Sequence, residues 1–364
     1  MIDNRLTILL TLKGRPLHTL RWLWHADKIK LPFKVYIADG EVDDKLAELL
    51  ESKKFFKNVN YQYHRYDDAS LLHYYQKCAD AVKKIDTPYV MMADNDDFIF
   101  PSGITKSLDF LDAEKDYVCS QGGISGFGVV ASQSPLSKIV GKITKFSYRY
   151  SVNYESRDCA SPLALERLLE QVHNYHPIFY SAIRKEALAK VTSEIVEFNF
   201  SSMQIHELYW TYRTATLGKI KSTDKYLSHM RQKNTSLRNP KHDWFWYLVR
   251  CNYTEEFKVI TSFLSRETKL TDNNNDVNTE ELFRNAFADY LRTWVVKAYS
   301  EKALTIKARL KRKFKHLNDP DSKKDFYKKL NEVNNSDTIK LEIQEVANTL
   351  SDSNLLVFLN HFMK

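Results

Sequence analysis

Three aspartates fall within four positions, Asp94, Asp96 and Asp97, directly after the apolar run Tyr89-Val-Met-Met-Ala93. Carboxylates this close repel one another unless something cationic sits among them. A divalent metal is the simplest resolution. Mg²⁺ or Mn²⁺ takes hard oxygen ligands, commonly one or two carboxylates, and completes its shell with water and substrate phosphates. A lone Asp-x-Asp is also frequent in loops, where carboxylates are solvated or cap a helix, and Asp97 or Ser102 is placed to cap the helix that Pro101 begins. Position favours the metal and a diphosphate, because the residues that precede the aspartates read as a buried strand.

The elements that must hold these residues alternate. Leu6–Leu12, Phe33–Ala38, Val59–Tyr63 and Tyr89–Ala93 are short β-rich runs. Between them Pro16–His25, Asp43–Lys53 and Ser70–Lys84 carry an apolar face at helical period, so the order is β-α-β-α-β-α-β. A parallel sheet with helices on both faces follows, and in such sheets ligands bind at the carboxyl ends of the strands. Those ends carry Lys13-Gly14-Arg15, Asp39-Gly40, Arg65 to Asp68, and Asp94 to Asp97.

A chain of 364 residues, 43% hydrophobic and 27% charged, buries a full core, which excludes disorder as a whole. The cysteines Cys78, Cys119, Cys159 and Cys251 form no C-x-x-C pair and suit a reducing cytosol. No run approaches the roughly 18 apolar residues of a membrane span, so a soluble, cytoplasmic protein is expected. The net charge of +8 favours an anionic partner: nucleic acid, lipid headgroup or phosphorylated substrate. All nine glycines and seven of nine prolines precede position 219; beyond it the pattern is helical. A boundary near Pro240 divides the chain into 1–240, an α/β domain, and 241–364, an all-α extension, with a loop over 270–279.

Across roughly residues 4 to 235 the sequence resembles a glycosyltransferase of the GT-A fold, and it is similar to the inverting family-two transferases of bacterial surface polysaccharide synthesis. Four stretches carry the resemblance: Thr7-Ile-Leu-Leu-Thr-Leu-Lys-Gly-Arg-Pro16, Ile37-Ala-Asp-Gly40, Thr87 to Phe98 with Pro101, and His206-Glu207. It implies a Rossmann-like mixed, mainly parallel sheet, a nucleoside-diphosphate sugar (UDP the expected nucleotide) as donor, and Mn²⁺ or Mg²⁺ as cofactor. It implies that Asp39 holds base or ribose, that Asp94 touches ribose, and that Asp96 coordinates the metal with Asp97 as support or second ligand. For Asp39 the alternative is plain turn chemistry in Ala-Asp-Gly.

Glycosyl transfer needs the acceptor hydroxyl deprotonated as it attacks the anomeric carbon, and a carboxylate is the usual base. Glu207, near the start of a helical stretch, is the candidate, and a single base implies inversion; the alternative is a carboxylate favoured only by the helix dipole. His206 reads as a packing or surface residue. Lys13, Arg15, Lys77 and Arg231 are candidate cations for the leaving diphosphate. His229 is a candidate further ligand from a late loop, against a strand histidine that faces solvent.

The glycines of Gln121-Gly-Gly-Ile-Ser-Gly-Phe-Gly128 lack the ending of a phosphate loop and are expected to let backbone approach the donor sugar or acceptor. Tyr150 to Pro162, with Tyr154, Arg157 and Asp158, is taken as an acceptor-side loop. Lys302 to Leu317 reads as a basic amphipathic helix, either packed and solvated or docked on an anionic membrane where lipid-linked acceptors reside; nucleic acid is not expected, and a homodimer is open. Rival readings are a sugar-phosphate nucleotidylyltransferase, which needs a longer glycine-rich loop after the first strand, and a noncatalytic assembly or nucleic-acid-binding protein.

Overall fold

The computed structural model describes residues 2–41, 44–129, 136, 139–147, 156–233, 253–273, 278–302, 321–334 and 336–363. The alternation expected at the N-terminus is present: β1 (Asp3–Leu12), α1 (Pro16–Lys28), β2 (Phe33–Asp39), α2 (Asp44–Glu51), β3 (Tyr61–Arg65), α3 (Leu71–Lys84) and β4 (Tyr89–Ala93). Then come β5 (Phe98–Ile99), α4 (Pro101–Ala113), β6 (Tyr117–Val129), β7 (Ile143–Ser147), α5 (Ala164–His173), β8 (Ala182–Arg184), α6 (Lys185–Phe198), α7 (Met203–Leu217) and β9 (Lys219–Gln232). The later helices are α8 (Tyr253–Asp272), α9 (Thr279–Lys302), α10 (Asp321–Leu330), α11 (Ser336–Leu350) and α12 (Ser353–Phe362). None among the described residues is long and apolar enough to cross a membrane.

The described strands form one sheet in the order β3-β2-β1-β4-β8-β6-β9-β5, with β7 beside β6. β3, β2, β1 and β4 run parallel. β8 is antiparallel to both β4 and β6, which restores direction so that β9 lies parallel to β6. This is the mixed, mainly parallel α/β sheet that the resemblance implied, and its parallel β3-β2-β1-β4 part is what the alternation implied. β1 is buried throughout Leu6–Leu12 because both of its faces are covered, each such leucine contributing about 1.5–3 kcal/mol. Even-numbered Leu6, Ile8, Leu10 and Leu12 belong to one core cluster with residues of α1, α2, α4 and α12; odd-numbered Leu9 belongs to another with residues of α3, α5, α6 and α7.

Helix ends follow local chemistry. Pro16 and Pro101 open α1 and α4, where a missing N–H costs nothing, and Ser70 caps α3 by accepting from the N–H of His73. The cap of α4 differs from expectation. Neither Asp97 nor Ser102 provides it; Glu342 of α11 accepts from Ser102 N at 2.9 Å and from Ser102 Oγ at 2.7 Å. Gly103 permits the close approach of β9 to α4, since a Cβ there would stand 1.8 Å from the Leu227 carbonyl oxygen.

The helices beyond 240 share cores with the sheet. Leu264, Phe283 and Phe287 of α8 and α9 lie in one cluster with Tyr212 of α7, and Arg213 binds Glu194 at 2.9 Å and Glu267 of α8 at 2.7 Å. Phe326, Ile339 and Val346 of α10 and α11 pack with Phe98, Phe127 and Met230. α12 closes on α1, with Trp24 Nε1 donating to Asp352 at 3.0 Å. The boundary at 240/241 therefore marks a change of composition, and the helices after it are laid on the sheet from different sides. Residues 303–320, most of the basic helical stretch, lie outside the described residues, as do Tyr154, Cys251 and Pro240.

Candidate functional site

β4 runs buried to Ala93 and the chain then turns, so Asp94, Asp96 and Asp97 emerge at its carboxyl end. β5 pairs antiparallel with β9, Phe98 against Met230 and Ile99 against His229, which carries Arg231 alongside the turn. One carboxylate oxygen from each of the three aspartates lies within 4.8 Å of the others. Their repulsion is partly relieved from within the chain. Arg15 Nη1 donates to Asp96 Oδ2 at 2.6 Å. Arg231 Nε donates to Asp97 Oδ2 at 2.9 Å and its Nη2 lies 3.7 Å from Asp94 Oδ2. Gln232 N donates to Asp97 Oδ1 at 3.1 Å, and the Tyr180 hydroxyl donates to Asp94 Oδ2. Burial, then the charges of Asp96 and Asp94, still push the Asp97 carboxyl up to about 8 against the pull of Arg231.

The loop rests on Arg21, fully buried in α1. It donates to the carbonyl of Asp96 at 2.7 Å and to Gln232 Oε1 at 2.6 Å, and burial lowers it to about 10. Asn95 Nδ2 bonds Thr19 Oγ1 at 3.0 Å and the carbonyl of Arg15 at 3.2 Å, tying the turn to the start of α1.

At the end of β2, Asp39 is fully buried. Its Oδ1 accepts from Glu41 N at 2.9 Å, the turn role expected of Ala-Asp-Gly, and its Oδ2 accepts from the Tyr63 hydroxyl at 2.6 Å. Gly40 lets Asp68 come in: a Cβ at that position would stand 2.5 Å from Asp68 Cβ. Lys77 is placed differently from the expectation of a phosphate contact. It is 1% exposed, its ammonium donates to Asp68 Oδ2 and, at 3.1 Å, to the carbonyl of Leu12, so a buried anion already neutralises it. Lys13 is half exposed and donates to the Asp68 carbonyl.

His229 also departs from expectation. Neither among the carboxylates nor facing solvent, it is 0% exposed, with its ring 4.9 Å from that of Tyr180. Neither ring nitrogen has a hydrogen-bond partner among the described residues, and burial followed by the Arg231 charge lowers it to about 3.

Glu207 is exposed, on the second turn of α7. Burial and then its charge raise the phenol of Tyr75, while the charge of Asp94 contributes to raising Tyr74. The two tyrosines are adjacent on α3, edge to face at 5.1 Å. His206 packs at 4.2 Å on Tyr75, the packing alternative of its reading. Trp210, one turn after Glu207, meets Phe179 at 5.2 Å, and Phe179 meets Tyr180 at 5.1 Å. A line of aromatic contacts thereby joins the helix of Glu207 to Asp94.

Gly122 and Gly123 of β6 do not open space for a sugar. A Cβ at Gly122 would meet the Tyr226 ring at 2.7 Å, and one at Gly123 the Leu227 side chain at 2.9 Å, so they admit side chains of β9. Asp158 is tied to Ser222 N at 3.1 Å and to Lys221, ten residues before Arg231 along β9. Across β6 the two positions lie opposite Ser120 and Gly126, six residues apart, so at roughly 3.3 Å per residue Asp158 is anchored about 20 Å along the sheet from Arg231.

Tyr180, Arg21 and Asp68 were not found from sequence. Tyr180 and Arg21 lie 86 and 75 positions from Asp94 and Asp96, with no spacing to flag them, while Asp68 stands in a strand end that was named but given no role toward Lys77, nine residues on. Arg21 falls on the buried side of an amphipathic helix, and this is the one hint the chain offered.

No family model and no curated protein matches the chain. Among solved structures it is similar to residues 1–349 of TarS from S. aureus, at 13% identity over 99% of this chain and 87% of that chain, with a TM-score of 0.47. The same protein in complex with UDP-GlcNAc gives 14% and 0.48, and in complex with UDP 14% and 0.46, at the same coverage. A likeness this distant fixes neither family nor ligand.

Proposed function

We propose that this chain is a metal-assisted glycosyltransferase that moves a sugar from a nucleoside-diphosphate sugar to a hydroxyl of a glycan or lipid-linked acceptor, with inversion. The observation that carries the reading is the gathering of Asp94, Asp96 and Asp97 within 4.8 Å at the carboxyl end of a parallel strand, with Arg15 and Arg231 beside them. All three donors are hard oxygens, and Asp97 is held near a pKa of about 8 by burial and by its neighbours' charges, so the residues fit Mg²⁺ or Mn²⁺. Asp96 and Asp97 would hold the ion. When bound, it supplies positive charge to the diphosphate as that group leaves.

The chain's own groups account for the rest. Arg15 and Arg231, with side chains 21% and 26% exposed, would face the diphosphate while touching the aspartates. The stabilisation they give it grows as negative charge develops on the leaving oxygen, which is what accelerates the step. Asp94 faces the ribose, and Asp39 and Lys13 border the nucleotide side. Glu207 accepts the acceptor's proton as its oxygen bonds the anomeric carbon and the bond to the diphosphate breaks. Displacement from the face opposite the leaving group inverts the centre. UDP is the nucleotide and bacterial surface polysaccharide the product class that the sequence resemblance favours, with the transferase on the cytoplasmic side.

Metal-dependent turnover tests this. With Mn²⁺ present, a panel of nucleotide sugars should include at least one from which the diphosphate is released, and Asp96→Ala should lose that release while keeping its unfolding midpoint. A panel with none turned over counts against the reading.

A further inference from the structure

We propose that Tyr180 is a positioning residue of this centre, which fixes Asp94 through its hydroxyl and Arg231 through its ring so that both meet one nucleoside diphosphate. The inference rests on the reading above and adds a residue to it.

Asp94 is the most open of the three aspartates, with a side chain 28% exposed, against 6% for Asp96 and 1% for Asp97. A carboxylate at a loop end samples several rotamers unless a donor holds it. The Tyr180 hydroxyl is that donor. Burial first, and the Asp94 charge second, raise the phenol well above its ordinary value, so the hydroxyl keeps its proton and donates. The same ring carries the Arg231 guanidinium at 4.6 Å from its centroid. A flexible arginine is thus pinned at two places, by Asp97 and by an aromatic face.

The ring itself cannot drift. His229 packs on it at 4.9 Å from β9, and Phe179 at 5.1 Å from the preceding position. Phe179 leans on Trp210 of α7, so Tyr180 takes its place from the helix that carries Glu207. One phenol therefore sets the carboxylate, the cation and their distance from each other.

A double-mutant cycle tests this, by calorimetric titration of UDP in the presence of Mn²⁺ into the wild type, Tyr180→Phe, Asp94→Ala and the double variant. Tyr180→Phe keeps the ring under Arg231 and removes only the bond to Asp94. It should weaken binding about tenfold, as expected for a hydrogen bond to a charged group. The double variant should bind as weakly as Asp94→Ala alone, because the hydroxyl acts through that carboxylate. If Tyr180→Phe binds like the wild type, or if the two losses add, the positioning role is overturned while the site reading stands. If the wild type binds neither UDP nor another nucleoside diphosphate, the site reading fails and takes this role with it.

Discussion

Arg15 Nη1 lies 2.6 Å from Asp96 Oδ2, an ion pair across 81 positions that joins the end of β1 to the end of β4. The pair places a permanent cation where the aspartates alone would call for a metal. On the proposed reading a divalent ion would compete with this arginine for the same carboxylate.

Arg15→Ala should therefore lower stability by about 1–3 kcal/mol, since Asp96 is left buried beside two further carboxylates. Mn²⁺ should raise the unfolding midpoint of this variant more than that of the wild type, because an ion that binds only the folded chain stabilises by mass action. Thermal unfolding with Mn²⁺ and with EDTA measures both. A midpoint in the variant that ignores Mn²⁺ contradicts the competition.

Lys77 and Asp68 are both buried, at 0% and 1% side-chain exposure. Lys77→Met should cost about 3–5 kcal/mol, because it strands an anion in the interior. Lys77→Met with Asp68→Asn should cost less than Lys77→Met alone, since no charge remains to desolvate. Urea unfolding of the three proteins decides it, and a double variant less stable than the single contradicts a charge-pair origin.

How far the chain could be read in advance follows from which forces were local. β1, β2 and β4 and the helices α1, α2 and α3 were legible because their periodicity and flanking Pro, Ser and Gly residues are local signals. The strand at Val59–Tyr63 forms two residues later, at Tyr61–Arg65, where β2 offers a partner. The long strands β6 and β9 were not legible, because their glycines and serines have low strand preference and pair only through long-range packing of Tyr226 and Leu227 over Gly122 and Gly123. The three aspartates and their Arg15 and Arg231 neighbours could be named from strand ends. The ion pair that removes Lys77 from the phosphate side could not, because Asp68 reveals itself only when Gly40 lets it in.

Glu207→Gln keeps the shape and a hydrogen-bonding amide but not the basicity. Its kcat should fall by about 10²-fold or more, with the donor KM little changed. Steady-state rates on whichever nucleotide sugar is turned over give the comparison. An undiminished kcat means that another group takes the proton.

His25 links α1 to α11, with Nδ1 2.9 Å from Thr349 Oγ1. The Thr349 hydroxyl donates to the Glu345 carbonyl at 2.9 Å, so it accepts from His25 Nδ1–H. Burial first, then the Arg21 charge, lowers His25 from 6.5 to about 3. The unfolded chain takes up this proton near 6.5 and the folded chain does not, so the contribution is whole above that pH and is lost as pH falls toward 3. Urea midpoints should decline on acidification below about pH 6.5, and His25→Asn should decline less steeply. Equal slopes would show that His25 carries no part of it.

The central claim is that Asp96 and Asp97 bind a nucleoside diphosphate through a shared divalent ion, with Asp94 beside them on the ribose. Calorimetric titration of UDP into the wild-type protein, once with Mn²⁺ and once with EDTA, tests it most directly. The account predicts saturable heat with Mn²⁺ that weakens at least about tenfold in EDTA, a difference of about 1.4 kcal/mol. Equal binding in both, or none in either, would contradict it.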